Sequence, residues 1–277
     1  MRILPRMPAR RVALVTGANT GIGRVTAIEL ARSGFRVFLA CRSRERTQPV
    51  LEEIGAAAEW LPLELSEFDS VRQCAQMFLE RDLPLHLLVN NAGVAGARGL
   101  TPSGFEWMFG VNHMGHFLLT QLLLTRILRS APARIVTVAS KAHTHSGGID
   151  WDAVRRPTAS LTAVPEYCAS KLANVLFSAE LGRRLVGSGV RTYSLHPGVV
   201  DSDIWRRLPW PLRQLNRLRL ISNEEGAKTT LYCATSEAAG RETGLYYSGC
   251  RPVSPNAAGR NTALAAELWE RSEAALA

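Results

Sequence analysis

Tyr167 and Lys171 stand four positions apart in Tyr167-Cys168-Ala169-Ser170-Lys171, so a helix turns both to one face. A free phenol titrates near about 10, too high to exchange protons readily at neutral pH. A neighbouring ammonium stabilises the phenolate and draws that value down, at about 1.4 kcal/mol per unit. The pair is suited to moving a proton onto or off a substrate oxygen. Ser140 closes the apolar run Val136-Thr137-Val138-Ala139, and a hydroxyl there can hydrogen-bond the same oxygen and orient a carbonyl. Singly these features are weak: Tyr-x-x-x-Lys recurs by chance, and a serine after a strand is commonly a turn residue. The combination carries the inference.

A second constellation is Thr16-Gly17-Ala18-Asn19-Thr20-Gly21-Ile22-Gly23, directly after the first apolar run. Glycines allow a tight turn and let backbone N–H groups approach a pyrophosphate at the positive end of a helix. A plain strand-to-helix turn is the bland alternative, and the position after strand one weighs against it. A dinucleotide is therefore expected at Gly17, Asn19, Thr20, Gly21, Ile22 and Gly23. The second apolar run ends in Ala40-Cys41-Arg42-Ser43-Arg44, with no acid before Glu45. A carboxylate there would repel a 2′-phosphate, whereas Arg42, aided by Arg46, can clamp one. NADP(H) is preferred, with NAD(H) the alternative; solvated arginines are the structural reading of the same residues.

These residues need a scaffold that brings distant strand ends together. Runs at Arg11 to Thr16, Arg36 to Ala40, His86 to Asn90, Arg134 to Ala139 and Arg191 to His196 read as strands. Helical patterns lie near Ile22 to Ser33, Ser66 to Glu80, His113 to Arg129 and Tyr167 to Val186. Such alternation requires a parallel sheet with crossover helices, and near-continuous apolar strands imply that both faces are covered. The fold class is thus α/β, a single doubly wound parallel sheet of Rossmann type, in one domain over 1–277. Two stretches break the rhythm: an irregular connection over 142–165, and an amphipathic flap over 200–221 carrying Trp205, Trp210 and several arginines. Ser222 with Glu225 forms a capping box for the next helix.

Composition limits the alternatives. With 277 residues and 46% hydrophobic content, the chain can bury a large core. Five scattered cysteines without a CxxC pair suggest neither a disulfide framework nor a zinc site, which fits a reducing cytoplasm. His143 and His145 lack a third ligand nearby and read as loop residues. The basic N-terminus lacks the apolar core of a secretory signal, so no export is expected. The net charge of +9 invites a nucleic-acid reading, but the arginines are spread along the chain, and no nucleic-acid partner is expected. The flap serves either as a substrate lid or as a peripheral membrane contact.

The ordered motifs TGANTGIG, NNAG (Asn90 to Gly93), VNHMGHFLLT, VAS and YCASK make the chain, from about Arg11 to Tyr247, resemble a short-chain dehydrogenase/reductase. The resemblance is greatest to the retinol-dehydrogenase-like branch, whose members share the long insertion between Ser140 and Tyr167. It implies a catalytic set of Asn112, Ser140, Tyr167 and Lys171, with Asn112 holding a water in a proton relay with Lys171. It also implies that Asn90, Ala92 and Gly93 border the cofactor, that Glu64 and Leu65 approach adenine, and that Pro197, Gly198 and Val200 lie beside the nicotinamide. Two departures stand out: Glu64 occupies the usual aspartate position, and Ser202 a position where threonine is frequent.

The expected activity is interconversion of a lipophilic alcohol with its aldehyde or ketone, Tyr167 exchanging the proton and Lys171 also holding the nicotinamide ribose. A homo-oligomer is compatible with this reading. The competing class is an NADP(H)-binding regulatory or scaffold protein without turnover, which would be expected to lose catalytic residues.

Overall fold

The structure is a computed structural model that describes residues 10–198 and 221–276. An eight-stranded sheet runs in the order β3-β2-β1-β4-β5-β6-β7-β8. Its strands are β1 (Val12–Thr16), β2 (Arg36–Cys41), β3 (Ala58–Pro62), β4 (Leu87–Asn90), β5 (Ala133–Val138), β6 (Val190–His196), β7 (Leu245–Ser248) and β8 (Arg251–Pro252). All neighbours pair in parallel except β7 and β8. Because β1 lies between β2 and β4, the strand order reverses there, and the crevice at the carboxyl ends of β1 and β4 is where open α/β sheets bind ligands.

The central strands are buried end to end, β1 and β4 completely, since helices cover both faces. The helices are α1 (Gly21–Arg32), α2 (Arg44–Ile54), α3 (Phe68–Leu79), α4 (Trp107–Phe109), α5 (Gly115–Arg129), α6 (Val164–Arg184), α7 (Asn223–Thr235) and α8 (Thr262–Ala274). One face packs Leu14, Phe38, Leu88 and Ile135 under α3, α5 and α6. The other packs Val15, Leu39, Val89 and Val136 under α1, α2 and α7. Trp269 of α8 meets the rings of Phe117 (5.0 Å) and Phe177 (6.1 Å), tying the last helix onto α5 and α6.

Six described elements escaped the sequence pattern, α2, β3, α4, β7, β8 and α8, and three of them did so for identifiable reasons. In α2 only Thr47 and Val50 are buried and Pro49 lies inside the helix, so the apolar stripe is too thin to show a period; Ser43 caps it by accepting from the Arg46 N–H at 3.1 Å. In β3 only Leu61 is buried, as befits an edge strand, and Glu59 is held between Arg36 and Arg81. The α8 pattern is rich in alanine, which blurs its apolar stripe.

The connection over 142–165 carries two 3₁₀ turns, Lys141–His145 and Ala153–Arg155, before α6 opens at Val164. Ser222 Oγ accepts from the Glu225 N–H at 3.2 Å, as the capping pattern requires. The flap over 200–220, with Val200, lies outside the described residues. Among the described residues no helix is long and apolar enough to cross a membrane.

Candidate active site

The loop between β1 and α1 is shaped by backbone. Gly17 and Gly21 hold φ of 64° and 58°, a region that favours glycine. A Cβ on Gly17 would come within 3.0 Å of Ala92 Cα, and one on Gly23 within 2.4 Å of both Gly17 O and Asn91 Nδ2. Thr20 precedes α1 without a side-chain cap, and the first turn of the helix carries no acid. Its leading N–H groups are thereby available to an anion. Asn19 and Ile22 are half-buried beside this turn and Thr20 is exposed.

Residues just after β4 brace the loop. Thr16 Oγ1 accepts from the N–H groups of Asn91 and Ala92, each at 2.9 Å. Asn91 Nδ2 donates to Thr16 O at 2.8 Å. Asn91 is therefore the side chain of the NNAG motif that reaches the loop. Asn90 points the other way, donating to Thr120 Oγ1 at 3.1 Å inside the core. Adjacent residues at a strand end face opposite sides, a signal by which sequence reasoning, which named Asn90, could have found Asn91.

At the end of β2, Arg42 is largely exposed and its guanidinium lies 3.3 Å from Glu64 Oε2. Glu64 is held in turn by the Ser66 N–H at 3.0 Å. Leu65 is buried in the core, its carbonyl pressed close beneath Gly115 of α5. Arg42 and Glu64 are thus one pair, which sequence reasoning had treated separately.

The catalytic candidates converge at the ends of β4 and β5. Tyr167 and Lys171 share a face of α6, with Lys171 Nζ 5.9 Å from the Tyr167 ring centroid. The Ser140 side chain hydrogen-bonds the Tyr167 phenol and also accepts from the Ala142 N–H at 3.1 Å. Asn112 sits in a π-turn, Gly110–Met114, that joins α4 to α5. Its Oδ1 accepts from the Val94 N–H at 2.8 Å, and its Nδ2 donates to Val94 O and Ser170 Oγ, both at 3.0 Å. Gly93 keeps this corner open, since a Cβ there would stand 3.3 Å from Asn112 Oδ1 and 3.4 Å from Lys171 Nζ. Pro197 and Gly198 follow β6, Gly198 at φ 94° against Ile221.

Burial sets the electrostatics. Burial pushes the Tyr167 phenol up to about 12, and the group that draws it back is Ser140. Lys171 is driven down to about 8 by burial and donates to Val138 O at 3.0 Å. The expected pull of Lys171 on the phenol is therefore outweighed: the ammonium is turned to a backbone carbonyl, and a nonpolar surround disfavours phenolate. Asn174, one turn on, donates to the same carbonyl at 3.3 Å. Tyr167 shares one apolar cluster with Ala95, Ala97, Met108 and Ala163.

Residues 11–210 match the short chain dehydrogenase family. The chain is 44% identical to retinol dehydrogenase 11 of Mus musculus over 271 residues, covering 95% of this chain and 85% of that one. It is likewise 44% identical to retinol dehydrogenase 12 of Homo sapiens over 275 residues, covering 95% and 85%. Among solved structures, an uncharacterised protein from Mycobacterium Paratuberculosis superposes with TM-score 0.78 at 33% identity, covering 98% and 95%. The Pseudomonas aeruginosa RhlG/NADP active-site complex does so with TM-score 0.68 at 29% identity, covering 85% and 93%.

Proposed function

The chain belongs to the short-chain dehydrogenases, and on that premise we propose that it is an NADP(H)-dependent oxidoreductase interconverting a lipophilic alcohol with its aldehyde or ketone. Its type is retinol-dehydrogenase-like and its chemistry is that of the CH–OH group. The observation that carries the reading is the Ser140 to Tyr167 hydrogen bond set among alanines and Met108 beside a glycine-rich, uncapped helix start.

The residues present fit a nicotinamide dinucleotide. Gly17 and Gly23 let the loop close against Ala92, Asn91 and its own backbone, Gly21 takes φ 58°, the uncapped start of α1 suits a pyrophosphate, and Gly93 leaves room beside Lys171. When bound, the nicotinamide exchanges a hydride with the substrate carbon. In reduction, Tyr167 donates its proton to the substrate oxygen; in oxidation it takes the proton back. Ser140 holds that oxygen and the phenol together, so the proton path is short. With its value at about 12 the phenol is protonated at neutral pH, so it carries the proton that reduction needs, but it is a weaker acid than a free phenol. Lys171, which here donates to Val138 O, would hold the ribose of a bound cofactor and supply charge that offsets phenolate. Arg42 offers guanidinium donors beyond those shared with Glu64, and these suit a 2′-phosphate. The apolar wall, with exposed Leu161 and Val164 at the start of α6, favours a lipophilic substrate over a sugar or an acid.

The test follows NADPH and NADH oxidation with a panel of lipophilic aldehydes and ketones, alongside Tyr167→Phe and Arg42→Ala. Turnover with NADPH is expected, falling by about 10²- to 10⁴-fold in Tyr167→Phe. Arg42→Ala is expected to lower kcat/KM for NADPH about tenfold and to spare NADH. Faster wild-type turnover with NADH would overturn the cofactor reading. Tight nucleotide binding without turnover on any substrate would favour the regulatory alternative.

A further inference from the structure

We propose that His116 is a positioning residue that locks the nucleotide loop to the backbone carbonyl of Asn112 through a single neutral imidazole. His116 lies on α5 one turn after Asn112 and is buried. Its Nδ1 is 3.1 Å from Asn112 O and its Nε2 is 2.9 Å from Thr16 Oγ1.

The hydrogen-bond chemistry permits one assignment. A carbonyl only accepts, so Nδ1 carries the proton and donates to Asn112 O. Thr16 Oγ1 already accepts from the N–H groups of Asn91 and Ala92, which uses both of its lone pairs. The Thr16 hydroxyl must then donate: Nε2 at 2.9 Å is the near acceptor, and Val89 O stands farther off at 3.4 Å. A protonated ring would present a third donor to an oxygen with no lone pair left. Burial and the nearby Lys171 charge both oppose that proton, holding the imidazole down to about 4.

The imidazole therefore spans two halves of the site. On one side lie Thr16 and, through it, the β4 end that braces Gly17. On the other lies the carbonyl of the π-turn, whose side chain is committed to Val94 and Ser170. The inference rests on the oxidoreductase reading for its catalytic half only.

Two variants separate the halves. His116→Asn keeps a donor near the Nδ1 position, and His116→Gln keeps an acceptor near the Nε2 position. NADPH Kd is measured by calorimetry and kcat at saturating cofactor. The expectation is a crossed pattern: His116→Asn raises Kd about tenfold with kcat down less than threefold, and His116→Gln lowers kcat about tenfold with Kd up less than threefold. Equal losses of both parameters in both variants, a reversed pattern, or no change in either would overturn the proposal. Nitrogen-15 NMR of the imidazole in the wild-type chain decides independently of whether the variants fold: an Nδ1–H tautomer at neutral pH supports the lock, and an Nε2–H tautomer or imidazolium defeats it. If wild-type chain binds NADPH yet turns over nothing, the oxidoreductase reading fails while the calorimetric and NMR arms still decide this one.

Discussion

The proposed nucleotide loop and the proposed catalytic face are built from different materials. The loop between β1 and α1 works through backbone: its glycines sit where a Cβ would strike Ala92 or Asn91, and its N–H groups face an open crevice. The proposed catalytic face relies on buried side chains, Tyr167, Lys171 and Asn112, each held off its solution behaviour by burial or hydrogen bonding. Added volume should therefore harm the first, and a lost functional group the second.

The sharpest contrast comes from Ser140→Ala, which removes the hydroxyl that holds the Tyr167 phenol. kcat is expected to fall about 10²-fold, with NADPH Kd within twofold by calorimetry. Gly23→Ala tests the other side. Its Cβ would meet Gly17 O at 2.4 Å, so the loop must shift, and NADPH Kd should rise by roughly tenfold, in keeping with overpacking costs of about 1–3 kcal/mol. A Gly23→Ala chain with wild-type Kd would dissolve the comparison.

A smaller effect concerns stability. Lys171 titrates at about 8 in the fold against 10.5. Below about 8 both states carry the proton and the folded one bears the desolvation cost. Between those values the unfolded chain binds a proton that the folded chain lacks, so stability should rise with pH across that window. Lys171→Met should abolish turnover, flatten that rise, and leave Tm at pH 7 at or above wild type. A second effect on stability is the acid limb. His113 sits at about 3 and His116 and His196 at about 4, against 6.5, through burial. Stability should fall as pH drops below about 6.5, by up to about 1.4 kcal/mol per pH unit for each histidine. The urea midpoint of His113→Phe should fall less steeply between pH 6.5 and 4.5 than that of wild type.

The nucleotide loop was legible because its signal is local: glycines between an apolar run and a helix. Tyr167 and Lys171 were legible for the same reason, by helical spacing. Thr16 and His116 were not, since each matters only through partners far along the chain, as Thr16 does for His116; Asn91 was legible by strand alternation and was passed over for Asn90. The connection over 142–165 was recognisable as irregular, but what pins it is distant. Glu106 accepts from Thr158 Oγ1 at 2.5 Å, and Arg98 donates to Ser160 O at 2.6 Å.

By itself, the sequence determined the alternation of strands and helices and the identity of the groups that can carry a proton, because periodicity and side-chain chemistry are properties of short segments. Only the tertiary structure decided how those groups titrate and which neighbour each one serves. Burial raises Tyr167, lowers Lys171 and keeps His116 neutral, and burial is a property of the packed sheet and helices together.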